Sequence, residues 1–181
     1  STKRVAAAVG DGALVVRSAT DGQAYDDAGT AYDGQATLVL SQVDPAFNAA
    51  PDTYDLHAYN ATYWLINGKA YPDTSGITAA AGDRVLLRYL NAGYDNTTMM
   101  LLGMHEHVVA KDAWPLNNAY DAIADTIPAG ATEDAIATVP AGGGPNGFPL
   151  FNRQLHLTNG DQTGQSPTPS AGGGMLTFIH P

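Results

Sequence analysis

Short runs of β-branched and aliphatic residues recur along the chain, and each run is closed by residues that form turns. Between them stand Asn-Gly, Gly-Asp and Pro-Ala-Gly sequences, and the alanine-rich windows are cut by Gly or Pro before a helical period can develop. This spacing predicts an all-β fold, either a sandwich or a barrel. The runs that we predict to be strands are residues 13–17, 36–43, 62–66, 84–90, 98–102, 106–111, 122–127, 135–139, 150–157 and 175–179.

The charge of the chain excludes several classes of partner. Its 181 residues carry 8 Lys and Arg against 18 Asp and Glu, a formal net charge of −10. Because a phosphate backbone or an anionic membrane surface attracts the opposite sign, we expect no nucleic-acid partner. The longest apolar stretch is interrupted near Gly103 and falls short of the roughly 20 residues that a bilayer requires, so no membrane span is expected.

The chain contains no cysteine. This excludes thiolate nucleophiles, disulfides and iron–sulfur clusters. It also excludes any copper site that depends on a cysteine sulfur.

Several blocks of sequence follow one another in a recognisable order. The first reads Tyr-Trp-Leu-Ile-Asn-Gly-Lys-Ala-Tyr-Pro at residues 63–72, and the others are residues 77–93, 108–112, 127–130 and 173–177. Each block alone is only strand and turn sequence, but together they closely resemble the middle domain of multicopper oxidases. The resemblance implies a cupredoxin-like Greek-key β-sandwich. It also implies that the parent protein is an extracytoplasmic, periplasmic or secreted oxidase that carries copper.

The resemblance also suggests how the chain is divided. Residues 1–33 are similar to the closing strand of a preceding cupredoxin domain and its connector, and residues 34–181 then form the cupredoxin-like domain. Alternatively, the run at residues 13–17 is the first strand of a self-contained sandwich. Neighbouring cupredoxin domains are the implied partners, and a free sheet edge near residues 13–16 would also favour a homo-oligomer. Residues 21–33 and 160–174 are rich in turn formers and are expected to be mobile loops.

The sequence departs from this family at the positions where copper domains carry their ligands. Where histidines would flank a glycine, Leu102 and Met104 stand on either side of Gly103. Near the C-terminus Leu155 takes the place of the cysteine, and the later histidine is also replaced. His156 and Met175 remain in place, but two residues do not make a copper site, and core packing and hydrogen bonding explain them. The resemblance therefore implies copper in the parent oxidase and no blue-copper site in this chain.

Two histidines suggest a different metal site. His105 and His107 are two residues apart on a predicted strand, so both imidazoles would point to one face, with Glu106 facing away. A metal would need a third ligand, for which His57, His156 and His180 are candidates. The alternative is a pair of solvent-facing histidines that bind nothing, since such pairs without a third ligand rarely bind metals tightly.

Acidic and aromatic residues give weaker hypotheses. Calcium binding and a solvated acidic loop both remain open for Asp21, Asp26, Asp27 and Asp33. Near residue 65, aromatic side chains form either a sugar-stacking platform or part of the core. The aromatic residues in question are Tyr59, Tyr63, Trp64 and Tyr71.

The sequence leaves three functional hypotheses open. The first is a copper-free structural cupredoxin domain of a multicopper oxidase, whose parent oxidises phenols or metal ions and reduces dioxygen to water. On this hypothesis the chain alone is inactive. The second is a mononuclear metal-binding cupredoxin that uses His105 and His107. The third is a non-enzymatic β-sandwich that binds carbohydrate or another partner through the aromatic residues.

Overall fold

The computed structural model describes residues 7–9, 12–159 and 172–181. Nearly all regular structure there is β, which confirms the predicted fold class. The short helices are α1 (Pro45–Ala49) and two 3-10 turns, Ala28–Thr30 and Leu56–Ala58. The strands are β1 (Ala7–Val9), β2 (Gly12–Leu14), β3 (Gly34–Val43), β4 (Tyr63–Ile66), β5 (Ile77–Thr78), β6 (Arg84–Asn91), β7 (Thr97–Leu101), β8 (Glu106–Lys111), β9 (Trp114–Ala122), β10 (Ala124–Ile127), β11 (Thr132–Thr138), β12 (Phe148–Asn152) and β13 (Leu176–His180).

Two mixed sheets pack face to face. The six-stranded sheet has the order β4-β3-β6-β11-β8-β9, and the five-stranded sheet has the order β10-β7-β12-β13-β5. β3 runs parallel to β6 and β5 runs parallel to β13, whereas the other neighbours in these two sheets are antiparallel. Successive strands cross repeatedly from one sheet to the other, as in Greek-key sandwiches. The cupredoxin-like β-sandwich expected from the sequence is confirmed.

The main core fills the space between the two sheets. Leu40, Leu87 and Tyr89 of the six-stranded sheet are fully buried against Leu101 and Leu150 of the five-stranded sheet. Each such side chain, when taken out of water, stabilises the fold by about 1.5–3 kcal/mol. The sandwich is therefore held together by its apolar interior.

The outer face of the six-stranded sheet is covered by part of residues 21–33, which we call the covering segment. Ala24 and Tyr25 pack over Leu86, Val109 and Ile136, which form a second apolar cluster behind the sheet. We expected residues 21–33 to be a mobile acidic loop, but this part of the chain is packed against the sheet. The expectation failed because it rested on composition, and the apolar side chains within the segment were given too little weight.

A buried ionic contact fixes this covering segment. The Tyr25 hydroxyl donates to Asp134 Oδ2 at 2.6 Å, and Arg88 Nη1 donates to the same oxygen at 2.8 Å. Burial raises the pKa of Asp134, although Arg88 and Tyr25 act in the opposite direction.

Alternation along residues 84–90 predicts that Val85 and Leu87 are buried and Arg84 and Arg88 exposed, or the reverse set if the register is shifted. Neither pattern holds, because both faces of this strand are covered: Val85 and Leu87 are buried, and Arg88 is only 5% exposed.

The acidic residues of the covering segment act as local hydrogen-bond acceptors. Asp27 caps a 3-10 turn by accepting from the Gly29 amide at 2.9 Å, and Asp33 Oδ2 accepts from the Arg84 amide at 2.8 Å. Asp26 accepts from the Ser18 hydroxyl at 2.8 Å. These contacts give the carboxylates a structural role at turns.

Most predicted strands are present, with a few differences. β9 was missed because it is an exposed edge strand with no apolar alternation, and the register shifts where it pairs with β8. The strand expected over residues 150–157 ends at Asn152, and Leu155 has a positive φ of 63° that breaks the extended chain. β2 ends at Leu14, short of the predicted residue 17. Most of the loop expected at residues 160–174 lies outside the described residues.

The contact between Tyr25 and Asp134 leads to the first prediction. Tyr25→Phe should lower the free energy of unfolding by about 1–2 kcal/mol, since a buried hydrogen bond to a charged group is lost while the ring remains. Urea titration measures this difference. Tyr32→Phe is the matched control, because the Tyr32 hydroxyl makes no hydrogen bond within the described part of the chain. It should change stability by less than about 0.5 kcal/mol, and an equal effect of the two substitutions would contradict the prediction.

Candidate functional site

The histidines proposed as metal ligands lie in different parts of the sandwich. His105 is exposed just before β8, and His107 on β8 places its Nδ1 2.7 Å from Asp121 Oδ1 on β9. His156 follows β12 and stacks on Trp64 of β4, with ring centroids 3.4 Å apart and planes 6° apart. β4 and β9 are opposite edges of the six-stranded sheet. His156 is therefore not brought together with His107.

The other candidate third ligands do not complete a site either. His57 is exposed in a 3-10 turn, and His180 ends β13 of the other sheet. Across residues 7–9, 12–159 and 172–181, no group of three or more His, Asp or Glu side chains is placed to hold a metal ion. His107 is instead partnered by a single carboxylate.

Most of the positions that resemble copper-ligand positions hold residues that are not ligands of a blue-copper site. Leu102 and Leu155 are exposed, and Met104 is buried in the core. Asn152 and Met175 are both fully buried, with Asn152 Nδ2 3.7 Å from Met175 Sδ. His156 and Met175 keep an imidazole and a thioether, but Leu102, Met104 and Leu155 supply neither the other imidazoles nor the thiolate that a blue-copper site requires, so the set does not fit that metal centre.

Sequence reasoning missed a cluster of carboxyl groups inside the sandwich. Glu106 of β8 has no exposed surface and accepts a very short hydrogen bond from the Tyr89 hydroxyl of β6. Its other oxygen, Oε2, has no hydrogen-bond partner among the described residues. The signal was present in the sequence: Glu106 and Val108 are two residues apart, so a strand places both on the same buried face. Glu106 was expected only to face away from the histidines.

A lysine joins carboxylates from the two sheets. Lys111 Nζ lies 3.0 Å from Glu133 Oε2 on β11 and 3.1 Å from Asp125 Oδ2 on β10. Asp125 also accepts a short hydrogen bond from the Tyr120 hydroxyl. This ionic bridge connects the six-stranded sheet to the edge of the five-stranded sheet.

Burial controls the protonation of these groups. It raises the pKa of Glu106 to about 8, helped by the nearby charge of Glu133 and opposed by the hydrogen bond from Tyr89. Burial also raises the pKa of Glu133 to about 7, although Lys111 acts in the opposite direction. For Asp125 burial is outweighed by the hydrogen bonds from Tyr120 and Lys111, which lower its pKa. Two carboxyl groups thus titrate near neutral pH inside the fold.

A surface cleft of about 310 Å³ lies near the stacked pair of Trp64 and His156. The loop between β6 and β7 and the segment before β4 also contribute to its wall. Of the aromatic residues singled out in the sequence, Trp64 is buried and Tyr59 lines the cleft, while Tyr63 is exposed and Tyr71 packs near Phe178. The predicted platform is therefore only partly assembled.

The buried carboxyl group of Glu106 gives a pH prediction. Its pKa is 4.5 in an ordinary setting and about 8 in the fold, so its contribution to stability is complete below about pH 4.5 and is lost as the pH rises through about 8. Each pKa unit corresponds to about 1.4 kcal/mol. Glu106→Gln, which cannot ionise, should therefore be more stable than the unmodified chain by about 2 kcal/mol or more near pH 9.

Chemical denaturation at a series of pH values measures this difference. Asp73→Asn is the control because Asp73 is exposed, and it should leave the pH dependence unchanged. If Glu106→Gln lost stability with rising pH as steeply as the unmodified chain, Glu106 would not be the group responsible.

No protein-family model and no curated protein sequence matches the chain. Solved structures do match it. A blue copper oxidase from Nitrosomonas europaea aligns with a TM-score of 0.67 and 24% identity, over 80% of this chain and 42% of that one. The multicopper oxidase mgLAC aligns with a TM-score of 0.65 and 22% identity, over 80% of this chain and 43% of that one.

A laccase from Botrytis aclada is similar too, with a TM-score of 0.56 and 19% identity, over 79% of this chain and 32% of that one. The chain thus spans between about a third and 43% of the length of these three oxidases. At these identities the likeness concerns the fold and not the chemistry. The chain therefore has the fold of one cupredoxin-like domain of the multicopper oxidases and laccases.

Proposed function

We propose that the chain is a copper-free structural cupredoxin domain of a multicopper oxidase. The observation that carries the proposal is the replacement of copper ligands within this fold. Leu102, Met104 and Leu155 stand at three of the ligand positions, and the sequence has no cysteine. The buried pair of Asn152 and Met175 fills the interior near β12 with side chains that pack against each other.

The parent oxidase would oxidise phenols or metal ions and reduce dioxygen to water at copper centres in other domains. In that protein this domain spaces the copper domains and walls the substrate cleft. Its stability comes from its own apolar core and from the ionic bridge at Lys111. On this proposal the isolated chain has no oxidase activity.

Exposed apolar side chains on the six-stranded sheet and nearby turns support contact with other domains. Trp114 at the start of β9 is 72% exposed, and Leu102 and Ile123 are about half exposed. β9 is also an edge strand, with one side not paired by any described strand. Neighbouring cupredoxin domains of the parent, or a second copy of this chain, would cover such a surface.

We place the parent outside the cytoplasm, in the periplasm or secreted, by analogy with copper oxidases of this fold. No helix in the described part of the chain is both long enough and apolar enough to cross a bilayer.

One observation keeps a metal-binding alternative in view. His107 is held by Asp121 at 2.7 Å, and His105 is exposed two residues earlier. An imidazole and a carboxylate in contact are donor types that copper and zinc accept, although within the described residues they do not belong to a group of three such side chains.

Copper loading of the purified chain tests the proposed function. The chain should take up less than one copper per molecule after desalting, and it should show no intense blue absorption, because that band requires thiolate-to-copper charge transfer. Oxygen consumption with a phenol should not exceed that of buffer. Elemental analysis and absorption spectroscopy measure the first two quantities.

His107→Ala separates the two functions. Stoichiometric copper that is colourless and is lost in His107→Ala would support the metal-binding alternative and contradict the copper-free proposal. A blue band in the unmodified chain would contradict both.

A further inference from the structure

The cleft beside Trp64 lies where three separate parts of the chain meet. The segment before β4, the loop between β6 and β7, and the loop after β12 each contribute to its wall, and its volume is about 310 Å³. That volume falls within the range of small-molecule sites. The wall includes the side chains of Tyr59, Trp64, Asp95, Asn96, Gln154 and His156.

The aromatic part of the wall is held in place by packing. Trp64 is only 4% exposed and is covered on one face by the ring of His156. Tyr59 packs against Tyr94 with ring centroids 5.0 Å apart and contacts the edge of Phe47. These contacts keep the aromatic groups in one arrangement before any ligand arrives, which lowers the entropic cost of binding.

The loop that carries Asp95 is also fixed by hydrogen bonds. Gln42 Oε1 accepts from the amides of Tyr94 and Asp95 at 2.9 and 3.2 Å. Asn91 Nδ2 donates to the Asp95 carbonyl at 2.8 Å. The Asp95 carboxylate, by contrast, has no hydrogen-bond or ion-pair partner in the described ranges, so it is available to a ligand.

Two amide side chains in the wall are each held by one hydrogen bond to the side-chain oxygen, which leaves the NH₂ group unpaired within the described part of the chain. Asn96 Oδ1 accepts from the Ala129 amide at 3.1 Å, and Gln154 Oε1 accepts from the Thr98 amide at 3.2 Å. Because each oxygen is engaged, each NH₂ group is left as a donor without a partner among residues 7–9, 12–159 and 172–181. The cleft therefore offers these two amide donors and one carboxylate acceptor, and Asn60 adds a third amide side chain to its wall.

The charge of the wall limits the ligand. The cleft is lined by no Lys or Arg within the described chain, and burial lowers the pKa of His156, so the imidazole is neutral at neutral pH. An anion would meet Asp95 with no counter-charge. A cation would meet Asp95 but could gain nothing from the two NH₂ groups, which donate hydrogen bonds and carry no lone pair for a cation. Neutral hydroxyl groups suit the set best, because each can donate to the carboxylate and accept from an amide.

We propose that this cleft binds a neutral sugar, with its hydroxyls on Asp95, Asn96 and Gln154 and a carbon face against Tyr59. Sugar binding is independent of whether the chain carries copper. In this proposal the aromatic residues near β4 contact the sugar. The site could not be predicted from the sequence pattern, because its residues come from three separate parts of the chain.

Fluorescence of Trp64 tests the proposal. The chain has two tryptophans, and Trp114→Phe leaves Trp64 as the only one. In that background, near pH 8, the chain is titrated with glucose, galactose, cellobiose and chitobiose. At least one of them should give a saturable change at millimolar concentration. Asp95→Asn should weaken that binding by about tenfold or more, since a hydrogen bond to a charged group is replaced by a weaker one.

Controls decide whether the response belongs to the cleft. Asp73→Asn removes an exposed carboxylate elsewhere and should leave binding unchanged. Choline and benzoate, one cationic and one anionic, should give no saturable change. The proposal is overturned if none of the sugars gives a saturable response, if Asp95→Asn binds as tightly as its parent, or if choline alone binds.

Discussion

The rest of the structure depends on the burial of the two central strands, β6 and β11, on both faces. Nearly every residue of β6 and β11 is buried. One face looks into the core between the sheets, and the other lies under the covering segment around Tyr25. A strand covered on both faces cannot send its polar side chains to water. Each charged group on these strands must then find a partner or lose its charge.

In this molecule some buried charged groups are paired, and others have pKa values shifted toward the neutral form. On the outer face, Arg88 and the Tyr25 hydroxyl both donate to Asp134. These contacts fasten the covering segment to the sheet. On the inner face, Glu133 pairs with Lys111, while Glu106 on the adjacent β8 keeps a raised pKa beside Tyr89. The same topology that buries the apolar core thus also sets the protonation of its acidic groups near neutral pH.

The sequence predicted much of the fold because its strands carry strong local signals. Runs such as residues 84–90 and 106–111 are apolar and β-branched, and turn formers mark their ends. β9 escaped prediction because an exposed edge strand lacks alternation. The burial of Arg88 escaped because alternation assumes one wet face, and nothing local reveals that a distant segment covers the other.

The candidate sites were less predictable, because they too depend on contacts between segments that are distant in the sequence. A spacing of two residues placed His105 and His107 on one strand end, but it could not reveal that Asp121 partners His107. The cleft joins Trp64, Asp95 and Gln154 from three segments far apart in the chain, so only the folded topology brings them together. The resemblance to multicopper oxidases did point to the fold, because its blocks coincide with strands and turns.

We propose that this cupredoxin-like sandwich is held together by its own apolar core and not by a metal. Thermal unfolding by calorimetry, in excess chelator and then with a tenfold excess of Cu²⁺, tests it most directly. A ligand that binds only the native state stabilises it by RT ln(1 + L/Kd), where L is the free ligand concentration, so the unfolding temperature rises with that concentration. We expect one cooperative transition at the same temperature, within about 1 °C, in both conditions. A rise of several degrees with copper, or an unfolded chain in chelator, would contradict it.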